Sequence, residues 1–302
     1  MTHHYFSGGS RRTVSRALRG LAVILVLASA LWRAAPVDAA PEPTSYYLSL
    51  GDSLAQGFQP IGGPHTNSAA VGYNQGYANQ LFKQARDGGG EHLRLVKLGC
   101  GGETTASMIG DSADSLCPDD YDTGSQLGDA VEFLDEHPGQ MAFITINIGT
   151  NDIFAPPCQG DPGCFIPQIA TNLPFILDTL REHAGPDVPI VGMNYYSPFV
   201  ADWFDDPAAG QFAAAQIVMF NNFLESLYGG AGVPVADVES AFAVTDFTTL
   251  AELKGVGPVP LSVYNACTLT WICTDPPLGP DIHANNDGYG VIAETFAAEL
   301  DI

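Results

Sequence analysis

Acyl transfer needs a hydroxyl nucleophile, an imidazole base and amide donors for a developing oxyanion, and this chain offers all three in four separated blocks. The first is Gly51-Asp52-Ser53-Leu54, directly after the apolar run Tyr46-Tyr47-Leu48-Ser49-Leu50. A strand ending in a turn would present the Ser53 hydroxyl at a strand-to-helix junction, where the Ser53 amide is also placed to meet an anion. A serine hydroxyl is a poor nucleophile at neutral pH, so it needs a base within hydrogen-bond reach and donors aimed at the oxygen that becomes negative. The second block, Leu98-Gly99-Cys100-Gly101-Gly102-Glu103-Thr104-Thr105, supplies a donor at Gly102, whose amide no side chain shields. It is no phosphate cradle: Thr104 stands where a dinucleotide fingerprint has its last glycine, and no lysine completes a P-loop. The third, Ile146-Asn147-Ile148-Gly149-Thr150-Asn151-Asp152, brings the neutral side-chain amide of Asn151 as a further donor. The fourth, Asp281-Ile282-His283, holds a histidine between turn residues and a helix start, placed to serve as general base. Each block alone has a plainer reading: a helix cap by Ser53 or Asp52, a tight turn, an Asx turn, a surface histidine. Their order along the chain favours one site.

Those blocks need a scaffold that brings strand ends together. Strand-like runs occupy Tyr46 to Leu50, Leu93 to Leu98, Met141 to Ile148, Pro189 to Tyr195 and Pro234 to Val238. Between them, apolar residues recur at helical spacing over Tyr77 to Arg86, Gln126 to Glu136, Ile166 to His183, Ala208 to Tyr228 and Tyr289 to Leu300. Strict alternation of this kind predicts an α/β fold, a three-layer doubly wound domain of about five parallel strands with its site beyond their carboxyl ends. Phe242 to Pro280 shows no such pattern and reads as a long irregular excursion returning to the site's rim.

The 302 residues, 46% of them apolar, are ample for one large core. Residues 1–39 read as a signal peptide: Arg11, Arg12, Arg16 and Arg19 precede a 13-residue apolar stretch, Gly20 to Trp32, too short to span a bilayer comfortably. Cleavage after Val37-Asp38-Ala39 leaves residues 40–302 as the catalytic domain and implies a secreted protein with no stable membrane insertion; Ser10-Arg11-Arg12 leaves the export route open. From Ala40 onward six basic face 33 acidic side chains, a net −27. Such a surface repels phosphate backbones, so nucleic acid is excluded as a partner and the substrate is expected to be neutral or cationic. Six cysteines in an exported chain suggest disulfides, and local pairing gives Cys100 with Cys117, Cys158 with Cys164 and Cys267 with Cys273. No Cys-x-x-Cys occurs and the histidines are scattered, so no metal site is read. His65, His92, His137 and His183 are assigned to the surface or loops. Tyr195-Tyr196-Ser197-Pro198-Phe199, with Trp203, Phe204 and Trp271, offers aromatic surface for an acyl pocket or for the core.

The four blocks, in this order and at strand ends, resemble the SGNH hydrolase superfamily, the GDSL lipases and esterases, over nearly all of the chain after residue 40. The resemblance implies a flavodoxin-like SGNH fold and a secreted serine esterase or lipase acting on a small-molecule, lipid or carbohydrate ester, monomeric and without cofactor. It implies Ser53 as nucleophile, His283 as base, and the amides of Ser53 and Gly102 with Asn151 as oxyanion hole. Acyl transfer, polysaccharide deacetylation or a non-catalytic binding role on the same scaffold are the alternatives. The family usually has Asp-x-x-His, whereas Pro280 stands three residues before His283 and Asp281 only two. An extended two-residue offset holds side chains parallel and apart. The reading therefore prefers a Ser53–His283 dyad oriented by the Pro280 carbonyl, with Asp281 as the alternative acceptor.

Overall fold

Five strands pair into one parallel sheet in the computed structural model of the chain, which describes residues 44–60, 73–112, 117 and 121–302. The expected leader with its cleavage point, and His65, lie outside these residues. The strands are β1 (Ser45–Gly51), β2 (Leu93–Lys97), β3 (Met141–Asn147), β4 (Ile190–Met193) and β5 (Val235–Ala236). Their spatial order is β2-β1-β3-β4-β5, so the chain leaves β1 in one direction for β2 and then crosses back to β3. The gap between the carboxyl ends of β1 and β3 is the switch point, where doubly wound sheets bind ligands.

Helices follow the strands: α1 (Ser53–Gln56), α2 (Tyr77–Asp87), α3 (Thr105–Met108), α4 (Gln126–Glu136), α5 (Thr150–Phe154), α6 (Pro162–Ala184), α7 (Pro207–Gly230), α8 (Val238–Ala241), α9 (Leu261–Leu269) and α10 (Asn286–Leu300). Helices α2 and α10 pack on each other through stacked Tyr77 and Phe296, while α6 packs between α4 and α7. Both faces of the central strands are thus covered, which is why β1 and β3 read as continuous apolar runs. Leu48, Leu50, Ile144 and Ile146 are fully buried. Among the described residues, no helix is long and apolar enough to cross a membrane.

The start of α6 and the stretch after α8 depart from the sequence reading. Helix α6 starts at Pro162, four residues before the apolar periodicity becomes visible, because the Asp161 side chain caps it by accepting from the Gly163 amide and Pro162 suits a first helical turn. The stretch from Phe242 to Pro280 is also more regular than expected. It holds an antiparallel hairpin of β6 (Leu250–Leu253) and β7 (Gly257–Pro260), followed by α9. Strand β6 alternates in exposure over only four residues and β7 carries two prolines, a weak signal in sequence.

The three cysteine pairs expected from local spacing are present: Cys100–Cys117, Cys158–Cys164 and Cys267–Cys273. They fasten, in turn, the segment after β2, the segment between α5 and α6, and the segment after α9.

The end of β1 tolerates no side chain. Gly51 has φ +134°, and a Cβ there would collide with the Asn147 backbone carbonyl on β3. Gly51→Ala is therefore expected to destabilise the disulfide-intact protein by about 2 kcal/mol or more, read from the urea midpoint. An unchanged midpoint would contradict the tight β1–β3 junction.

Candidate active site

The switch point gathers the predicted blocks. At the end of β1, Asp52 caps α1: its Oδ1 accepts from the Leu54 amide at 2.8 Å. The capping duty that might have consumed Ser53 thus falls to its neighbour, and the half-buried Ser53 hydroxyl is left to meet His283. The Ser53 Oγ to His283 Nε2 distance is 2.9 Å across 230 residues of chain. On the other side of the ring, Nδ1 lies 2.7 Å from Asp281 Oδ1.

That contact corrects the preference for the Pro280 carbonyl: the Asp281 carboxylate faces the imidazole. The two-residue offset works through a local side-chain turn. Asp281 Oδ1 also accepts the His283 backbone N–H at 2.9 Å, an Asx turn that folds the side chain back over its own backbone and brings it under the ring. Neighbours hold the turn from both directions. The Asp281 amide donates to the Trp271 carbonyl at 3.1 Å, the Trp271 amide to the His283 carbonyl at 3.0 Å, and the Tyr196 hydroxyl to the Ile282 carbonyl at 3.0 Å. Phe58 packs on the imidazole with ring centroids 4.5 Å apart.

Burial alone would raise the Asp281 carboxyl, but the hydrogen bonds and charge of His283 outweigh it and hold the group below the ordinary carboxylate range. It is therefore ionised at neutral pH. An ionised acceptor on Nδ1 places the proton there and leaves Nε2 with its lone pair towards the serine.

Beneath Ser53 lies a polar network that the sequence reading missed. Asp52 is buried and accepts from Leu54 N, from Asn147 Nδ2 at 2.7 Å and from the Tyr195 hydroxyl at 2.9 Å. The Tyr77 hydroxyl in turn donates to Asn147 Oδ1 at 2.9 Å. Burial raises the Asp52 carboxyl, opposed by these hydrogen bonds and by the charge of His283. Gln126, at the start of α4, clamps Gly51 through both ends of its amide, Oε1 accepting from the Gly51 N–H at 2.6 Å and Nε2 donating to its carbonyl at 2.9 Å. Only the position of Asp52 at a helix start hinted at any of this. Asn147, Tyr77, Tyr195 and Gln126 lie far apart in sequence and belong to no local pattern.

The candidate oxyanion donors occupy the turns after β2 and β3. Gly102 sits at φ +74°, a conformation natural to glycine, and its amide meets no hydrogen-bond acceptor among the described residues. Asn151 lies in the first turn of α5, where Gly149 with φ +119° turns the chain. One Asn151 Nδ2–H donates to the Glu103 carbonyl at 3.0 Å, tying the third block to the second, and the amide has a second N–H to offer. Asp152, beside it, is buried and accepts from both the amide and the hydroxyl of Thr105 and from Gln168 Nε2 at 3.3 Å. Burial outweighs those bonds and pushes its carboxyl up to about 6.

Ser53, Asn151 and His283 line a cavity of about 750 Å³. Of the aromatic residues considered from sequence, Tyr195, Tyr196 and Phe199 line it, while Trp203, Phe204 and Trp271 are not among its walls. Of the remaining histidines, His183 pairs with Asp135 at the surface and His137 packs against Tyr46 and Phe133. Among the described residues, no three His, Cys, Asp or Glu side chains are grouped to hold a metal ion.

A profile of the GDSL-like lipase/acylhydrolase family matches residues 49–291 of the chain. Among solved structures, the fold is similar to a protein from Parabacteroides merdae described as a GDSL-like lipase, at 15% identity and TM-score 0.52, covering 85% of this chain and 95% of the other. It is also similar to a catalytic mutant of an acetylxylan esterase from Geobacillus stearothermophilus, at 14% identity and TM-score 0.50, with coverage of 85% and 95%. Comparison with curated proteins finds no match.

The raised Asp152 carboxyl makes stability depend on pH. A carboxyl whose folded value lies above its ordinary 3.8 binds its proton more tightly in the folded state, so stability falls as pH rises from about 4 through about 6. Relative to Asp152→Asn, the native protein is expected to lose up to about 3 kcal/mol over that window, read from urea unfolding at each pH. Parallel curves for the two proteins would show that Asp152 does not titrate anomalously.

Proposed function

The chain belongs to the GDSL-like lipase/acylhydrolase family and is a carboxylic ester hydrolase, and from that premise we propose that it works through an acyl-enzyme on Ser53 with His283 as general base. The observation that carries this reading is the unbroken line from Ser53 Oγ through the imidazole to Asp281, at 2.9 Å and 2.7 Å. His283 Nε2 takes the Ser53 proton as Oγ attacks the ester carbonyl. The imidazolium formed is stabilised by the Asp281 charge, and the alkoxide by the amides of Gly102 and Ser53 with the side chain of Asn151. Collapse breaks the bond to the alcohol, which leaves with the proton from Nε2. Water then attacks the acyl-enzyme, His283 again accepting and returning a proton, and the acid is released.

We also propose that the protein is exported. The arginine-led apolar stretch before residue 40 and the three disulfides support this, since disulfides persist in oxidising compartments. Protein from the culture medium is expected to begin at Ala40 on N-terminal sequencing; active enzyme confined to the cell with an intact Met1 would refute export.

The mechanism predicts two losses on nitrophenyl ester substrates. Ser53→Ala is expected to abolish turnover with the fold intact by circular dichroism, and Asp281→Asn to lower kcat by roughly 10³-fold or more, because the wrong tautomer then faces the serine. Retained turnover in Ser53→Ala would remove the nucleophile, and a loss below about tenfold in Asp281→Asn would return the orienting role to a backbone carbonyl.

A further inference from the structure

We propose that the acyl half of the substrate is a medium or long alkyl chain, octanoyl or longer, laid into the cavity that Ser53 and His283 line. The proposal rests on the acyl-enzyme reading above and names the substrate class of that site. Three observations carry it.

The first is size. At about 750 Å³, the cavity is roughly five times the ~150 Å³ that encloses a benzene. An acetyl group would leave nearly all of it unfilled.

The second is the chemistry of the walls. Beyond the catalytic groups they are dominated by large apolar side chains, with α6 contributing Phe165, α7 contributing Phe212, Met219, Phe220 and Phe223, and the turn after β4 contributing Phe199. Its walls carry one carboxylate, the buried Asp52, whose oxygens are already engaged, and His283; the phenols of Tyr195 and Tyr196 stay neutral because burial raises them. Among the described residues no lysine or arginine lines the cavity, so no side-chain cation there would hold an anionic acyl group.

The third is exposure. Phe212 is 65% exposed, Met219 59% and Phe154 59%, all on this one cavity. Large apolar side chains gathered on one patch in water signal a surface that is covered in use. A chain covalently attached through its carbonyl to Ser53 reaches this surface without a break, which distinguishes it from an occupant that merely docks nearby.

Each methylene removed from water contributes a factor of about four in kcat/KM when fully buried. With nitrophenyl esters kept below their micellar concentrations, kcat/KM is expected to rise at least about thirtyfold from butyryl to octanoyl, allowing for incomplete burial. Phe212→Asp, at an exposed position that the fold does not depend on, is expected to reduce the octanoyl-to-butyryl ratio at least about fivefold. A flat or falling profile, with Ser53-dependent hydrolysis of the acetyl ester intact, would overturn the acyl-groove assignment and leave the hydrolase mechanism standing. The acyl groove would fall equally if the chain sediments as a dimer whose formation Phe212→Asp abolishes while the chain-length profile stays flat, because a second copy would then cover the patch. Absence of turnover on every ester would remove the mechanism and this assignment together.

Discussion

Asp281 Oδ1 accepts two hydrogen bonds from one residue, the backbone N–H and the ring Nδ1 of His283, at 2.9 Å and 2.7 Å. That double acceptance turns a sequence offset too short for an extended chain into a working alignment. It fixes the side chain of Asp281 before substrate arrives, and with it the tautomer and tilt of the imidazole. The segment cannot drift, because Trp271 bonds to it in both directions and Tyr196 ties the carbonyl of Ile282 between them. The disulfide between Cys267 and Cys273 encloses Trp271, so the covalent staple after α9 supports the base from one step away. What looked like an unstructured return of the chain is the mounting of His283, the proposed general base.

The serine side is held by the opposite strategy, burial. Asp52, Asn147, Tyr195 and Tyr77 form a chain of hydrogen bonds next to Ser53, and Gln126 grips Gly51 at the end of β1. Buried polar groups are costly unless satisfied, and once satisfied they allow one arrangement only. Desolvation raises the Asp52 carboxyl, and the three donors around it oppose that shift. The two halves of the site meet where the sheet order reverses between β1 and β3. Asn151 ties the turn after β3 to the turn after β2 through the Glu103 carbonyl.

Much of this was legible in the residues. The strands and long helices announced themselves because burial on both faces enforces apolar runs, and helices packed on one side enforce helical spacing. Ser53, His283 and Asn151 were singled out from block chemistry, and the structure brings all three to one cavity. The cysteine pairs followed from proximity along the chain. The preference for the Pro280 carbonyl over Asp281 failed for a physical reason: a two-residue offset is too short only when the two side chains lie parallel, and an Asx turn depends on a local hydrogen bond that spacing does not reveal. The network under Ser53 was unreadable for a different reason. Its members come from β3, α2, α4 and the segment after β4, and nothing local distinguishes a tyrosine that meets a buried aspartate from one that packs in the core. The short strands of the hairpin β6–β7 fell below what period-two alternation can signal.

The proposed chemistry requires that His283 activate Ser53. The most direct test is the reaction of the protein with a serine-directed fluorophosphonate, followed by mass spectrometric mapping of the adduct and by the labelling rate in His283→Ala. One adduct, on Ser53, formed at least about a thousandfold more slowly without the imidazole, is the predicted result. An adduct at another residue, or Ser53 labelled as fast in His283→Ala as in the native protein, would contradict it.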